Sequence, residues 1–131
     1  MNWSEVFVVF LVSHLAGDYL LQTEFQALNK RGGLTGAPAR RRALVNHVLT
    51  YTLIFVPALL WLSGSLGVGG MIGVAALIAI PHLIQDDGRL LTLYGEKVKN
   101  TDISKYPMLG AAMDQSLHVI ALFLLALLIG T

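Results

Sequence analysis

Residues 43–85 read ALVNHVLTYTLIFVPALLWLSGSLGVGGMIGVAALIAIPHLIQ, a stretch without Asp, Glu, Lys or Arg. A bilayer core takes about 20 apolar residues per spanning helix, so a run of this length holds two spans back to back. The small-residue cluster Ser63-Gly64-Ser65-Leu66-Gly67 divides the run and reads as the turn between them. Extending the same reading in both directions gives four spanning helices, roughly at 3–27, 41–62, 68–91 and 107–130. The expected fold is all-α: a polytopic four-helix membrane bundle forming a single domain over 1–131. The apolar runs are long and do not alternate, which excludes the strands of a membrane β-barrel.

Composition agrees. Of 131 residues, 55% are apolar and 13% are charged, against about a quarter charged in ordinary soluble domains. Mean hydropathy is +0.66. A net charge of +1 excludes a nucleic-acid binder, and the lack of cysteine excludes a disulfide scaffold, a cysteine zinc site and a thiol nucleophile. The N-terminus has no basic region and no cleavage site of small residues, so it reads as a retained span.

All nine basic residues fall in two places. Loop 1 (about 28–40) and its edge carry Lys30, Arg31, Arg40, Arg41 and Arg42. Loop 3 (about 92–106) and its edge carry Arg89, Lys97, Lys99 and Lys105. Positive charge stays on the cytoplasmic side, so both loops lie inside and both termini outside. Trp3 and Trp61 fit as anchors at the outer interface. Pro107 fits the first position of the last helix, and Pro81, just before His82, marks a bend.

The informative residues are polar ones inside the spans. His14/Asp18, His82/Asp86 and Asp114/His118 are each four apart, so each pair shares one helix face. Helix direction alternates, and the order of the motif reverses with it. Every Asp therefore lies toward the basic end, with its His one turn deeper, and His47 falls at a similar level. Ionisable groups in a bilayer are costly and mark function by default. His14, Asp18, His47, His82, Asp86, Asp114 and His118 thus form the expected ligand set for a divalent metal: zinc first, with manganese or iron as alternatives. Asp18, Asp86 and Asp114 are the candidate catalytic carboxylates. Asp87 points about 100° away from Asp86 and reads as a headgroup-level partner of Arg89. Gln22, Gln85 and Gln115 read as polar groups at interface depth.

These residues carry a resemblance. His14-Leu-Ala-Gly-Asp18-Tyr-Leu-Leu-Gln22-Thr, Asn46-His47-Val-Leu-Thr-Tyr51, Pro81-His82-Leu-Ile-Gln-Asp86 and Asp114-Gln115-Ser-Leu-His118 are similar to a family of small bacterial membrane proteins catalogued as domain of unknown function 3307. Its second helix often reads His-x-x-x-His; Tyr51 stands at the second place here. The resemblance implies no activity. A looser likeness connects the chain with membrane-bound metal-dependent hydrolases.

Two function classes follow. One is a metal-dependent hydrolase acting on a lipid or isoprenoid phosphate, with the basic loops attracting anionic lipid or another amphiphile. The other is a proton-coupled or divalent-metal transporter working as a homo-oligomer. A non-catalytic metal- or lipid-binding accessory subunit is the blander form of the first. Leu53–Leu60 and Val119–Ile129 offer no polar path outward, which ranks transport second.

Overall fold

The computed structural model describes residues 2–130. The Asn2 side chain accepts the Ser4 N–H at 3.1 Å and starts α1, Trp3–Leu15. Its continuation, Ala16–Leu20, is a single π-helical turn, a widening that often marks a functional position. The helix stops there, and a capping box between Thr23 and Gln26 opens the short α2, Glu24–Asn29. Pro38 then leads α3, Pro38–Ile54. Pro57 has no N–H for the Leu53 carbonyl, and Phe55 turns its own N–H to Thr52 O at 3.1 Å, so α3 ends after 17 residues.

Helix α4, Val56–Asp87, is two helical segments joined across a kink. At Gly67 the backbone takes φ 63°, ψ 178°, a conformation closed to residues with a Cβ. The chain reverses there. His47 and His82 lie 3.1 Å apart through their Nε2 atoms, whereas a straight helix would separate them by about 50 Å. Gly88, left-handed at φ 79°, ends α4 and starts the amphipathic α5, Arg89–Lys97. A 3₁₀ turn, Ile103–Lys105, precedes α6, Pro107–Ile129, with Pro107 in its first turn.

The all-α expectation holds, but the count of four spans does not. Two helices, Val56–Asp87 and Pro107–Ile129, are long and apolar enough to cross a membrane. The expected span at 3–27 is broken by the π turn and the new cap at Thr23. The span at 41–62 is broken at Phe55, and the one at 68–91 stops at Gly88. Loop 3 is mostly ordered as α5 and the 3₁₀ turn.

Four legs nevertheless lie side by side. Helix α1 packs along α6, and α3 packs along the returning part of α4. Gly130 sits so close to Trp3 that a Cβ would fall 2.4 Å from the Trp3 Cα, so the described ends of the chain meet at one end of the bundle. There Trp3 and Phe7 meet Phe123 edge to face. In that half the core is apolar, built from residues such as Phe10, Phe55, Leu62, Val74 and Leu122. In the other half it is polar: His14, Asp18, His47, His82, Asp86 and His118 are all buried. The outward faces invert the usual order, with Val12, Leu53, Ile72 and Leu128 each more than 60% exposed. Only 17% and 28% of the most apolar windows of α4 and α6 are buried, unlike the core helices of a water-soluble domain.

Candidate metal centre

Asp18, His47, His82 and Asp86 meet at one point. They come from the π turn, α3 and the returning part of α4, and all four are buried. The widened turn at Ala16–Leu20 brings Asp18 inward, and Gly17 lets the neighbouring leg close up: a Cβ there would meet the Tyr51 ring at 2.7 Å. His82 and Asp86 share a face of α4 one turn apart.

Each of the four residues offers one ligand atom, all within 4.8 Å of one another. His47 Nε2 lies 3.1 Å from Asp18 Oδ1, 2.8 Å from Asp86 Oδ2 and 3.1 Å from His82 Nε2. His82 Nε2 lies 3.0 Å from Asp86 Oδ2 and 3.7 Å from Asp18 Oδ1. Ligand atoms about 2.0–2.1 Å from a tetrahedral zinc ion are about 3.3 Å apart, so these edges fit such an ion. Hydrogen bonding explains them less well. Asp86 Oδ2 is buried and forms no hydrogen bond, although two imidazole nitrogens stand within 3.0 Å of it. Those nitrogens are close to the oxygen but not aligned to donate to it, and His47 Nε2 makes its hydrogen-bond contacts with Asp18 Oδ1 and His82 Nε2 instead. The residues fit a divalent metal, which Asp18, His47, His82 and Asp86 would hold.

Each carboxylate turns its second oxygen outward to a holder. Asp18 Oδ2 accepts from Gln115 Nε2 at 3.1 Å. Asp86 Oδ1 accepts from the Lys30 ammonium at 3.0 Å, with His118 Nε2 at 3.5 Å. Such partners orient metal-binding carboxylates. Tyr51 stacks on the His82 ring, with centroids 3.4 Å apart, and its hydroxyl meets His14 Nδ1 at 3.0 Å.

The seven expected ligands thus divide. Asp18, His47, His82 and Asp86 form the quartet. His118 borders it and holds the Asp114 carbonyl through Nδ1 at 2.8 Å. His14 lies one step out, bonded to Gln115 Oε1 at 2.9 Å and 3.8 Å from Asp18. The Asp114 carboxylate makes no hydrogen bond or ion pair among the described residues and is not one of the four. Asp87 does pair with Arg89, and it is more buried than headgroup level implies. Its carboxylate accepts the Leu34 N–H at 2.9 Å, and its carbonyl accepts the Gly32 N–H at 2.8 Å, pinning the segment that follows Lys30.

Lys30, Gln115 and Tyr51 were not among the expected ligands. Lys30 was counted as one loop charge among nine. The sequence does hold a signal for it: Thr23-Glu24-Phe25-Gln26 is a helix-start pattern. It ends the first leg near residue 22 and turns the chain back toward the bundle.

No curated protein and no solved structure matches this chain. A family profile described as "Protein of unknown function (DUF3307)" matches residues 6–131, nearly the whole length. The motifs singled out above lie within that match, and the chain belongs to the DUF3307 family.

Proposed function

We propose that this chain is an integral membrane protein that carries one divalent metal ion, zinc by its donor set, at the Asp18–His47–His82–Asp86 centre. The observation that carries this reading is the orphaned Asp86 Oδ2, crowded by two imidazole nitrogens that do not hydrogen-bond to it. A donor set of two imidazoles and two carboxylates suits zinc better than ions that prefer all-oxygen octahedral sites. The inverted exposure of the helices supports the membrane assignment. The basic loops favour a bacterial inner membrane, with the metal centre toward the cytoplasm and both termini outside.

A second reading, metal-dependent hydrolysis of a lipid or isoprenoid phosphate, draws on two cavities at the basic end. One of about 310 Å³ is lined by Arg31, Thr92, Asp102 and Ser104. The other, about 210 Å³, is lined by Arg31, Arg40 and Arg89. Both include Arg31, the neighbour of Lys30. An anionic headgroup held by these arginines would lie beside the residue that reaches the metal centre. A bound divalent ion would supply Lewis acidity toward a phosphate oxygen. Asp18 and Asp86 would hold that ion, and Lys30 and His118 stand at the outer oxygen of Asp86. Transport ranks lower, because the other half of the bundle is closed by apolar side chains.

The test is elemental analysis of detergent-purified protein after dialysis against limiting zinc, manganese and iron. One zinc per chain, lost in His82→Ala, is expected. Wild-type protein without stoichiometric metal would end the proposal.

A further inference from the structure

Among the described residues, Lys30 is the one Lys or Arg in contact with the buried quartet. Its ammonium lies 3.0 Å from Asp86 Oδ1 and 3.3 Å from His47 Nε2, a nitrogen whose lone pair a metal needs. Asp18 and Asp86 bring two negative charges to this space, and Lys30 offsets one of them. A divalent ion offsets both by itself. The ammonium would then be a surplus positive charge, a few ångströms from a dication in a medium of low polarity. Like charges repel strongly under those conditions, and a buried unpaired charge is costly.

The surroundings give the ammonium a way out and leave Asp86 compensated. The Lys30 side chain retains 11% exposure at the basic end of the bundle, where long side chains can turn to water. The divalent ion itself offsets Asp86 once the ammonium leaves, so no second cation has to take its place. The backbone need not move, since Gly32 and Leu34 remain bonded to Asp87.

We propose that Lys30 and the divalent metal occupy the centre in turn: the ammonium is the site's own resident cation, and metal entry expels it toward the basic end. This rests on the metal reading above. It makes loading an exchange of one cation for another, entered from the side of Lys30.

The experiment labels detergent-purified wild-type protein with an amine-reactive reagent, with and without zinc. Modification at each lysine is read by mass spectrometry. Exchange predicts that Lys30 is protected without zinc and reacts several-fold faster with it, while the exposed Lys97, Lys99 and Lys105 stay unchanged. Calorimetry of Lys30→Met supplies the second arm. If Lys30 fills the centre about nine-tenths of the time, removing it tightens zinc binding about tenfold. Zinc that binds while Lys30 labelling stays constant or slows would make Lys30 a fixed partner and overturn the exchange. Weaker zinc binding by Lys30→Met would do the same, because it would show that Lys30 positions Asp86 for the metal. Failure of both proteins to bind zinc would remove the metal reading itself, and the exchange with it. The labelling arm uses only wild-type protein, so it decides even if Lys30→Met does not fold.

Discussion

Asp86→Asn removes one charge at nearly constant volume and acts on both oxygens that organise the centre. Asp86 is 2% exposed, with Oδ2 facing His47 and His82 at 2.8 and 3.0 Å and Oδ1 facing Lys30 at 3.0 Å. At an effective permittivity of about 20, unit charges at that last separation attract by about 5–6 kcal/mol. Lys30 recovers part of this by turning to water, and breaking a buried pair costs roughly 3–5 kcal/mol. The metal-free variant should therefore melt on the order of 10 °C lower. Zinc should suffer more, because one of two anionic ligands is gone. Loss of an outer partner costs about 10–100-fold in affinity, and loss of a ligand exceeds that. Asp114→Asn is the control: its carboxylate makes no hydrogen bond or ion pair among the described residues, so stability should stay within about 0.5 kcal/mol and zinc content should not change. Metal content and melting temperature on one preparation of each variant settle the matter. Full zinc in Asp86→Asn, or an emptied Asp114→Asn, would refute the assignment of the quartet.

Three further outcomes follow from neighbouring contacts. Gly17→Ala places a Cβ 2.7 Å from the Tyr51 ring, so it should cost about 1–3 kcal/mol by overpacking and weaken zinc binding as Tyr51 shifts off His82; denaturation and metal titration read both. Asp87→Ala removes the acceptor of the Leu34 N–H and the partner of Arg89, worth about 1–3 kcal/mol, and tryptic cleavage after Lys30 and Arg31 should quicken. Stripping metal with a chelator should lower the melting temperature, and zinc at about 100 times its Kd should restore about 2.7 kcal/mol; a melting curve indifferent to both would argue against a bound ion.

The sequence made the helical class, the turn near Gly67 and the burial of His and Asp legible, because each rests on local chemistry. Leg boundaries were less so. The stretch 3–27 is apolar enough to read as one span, and hydropathy cannot show that the helix widens at Ala16 and restarts at Thr23. Phe55 breaks a helix because of the missing N–H two residues later at Pro57, a signal easily outweighed by apolar neighbours. The site was legible in type and only partly in membership. A spacing of four puts two side chains on one face but does not say what that face meets. His82 and Asp86 both enter the quartet, while His14 serves Gln115 and Tyr51. For Asp114/His118 the link runs through the backbone: His118 binds the Asp114 carbonyl, not its carboxylate.

The two halves of the bundle are held by different forces, and this explains the place of Lys30. In the half where the described ends of the chain meet, Phe10, Phe55, Leu62 and Leu122 bury apolar surface and need nothing else. In the other half, two carboxylates and several imidazoles replace that packing, and buried carboxylates repel unless a cation sits among them. The need for positive charge is therefore permanent, whereas a metal arrives from outside. A lysine on the segment after α2 meets the need before loading: it is tethered near the surface and long enough to reach Asp86. Its stem still leads back to water, so it can withdraw when a dication satisfies both carboxylates at once. A shorter or fully buried cation at that position could not do both.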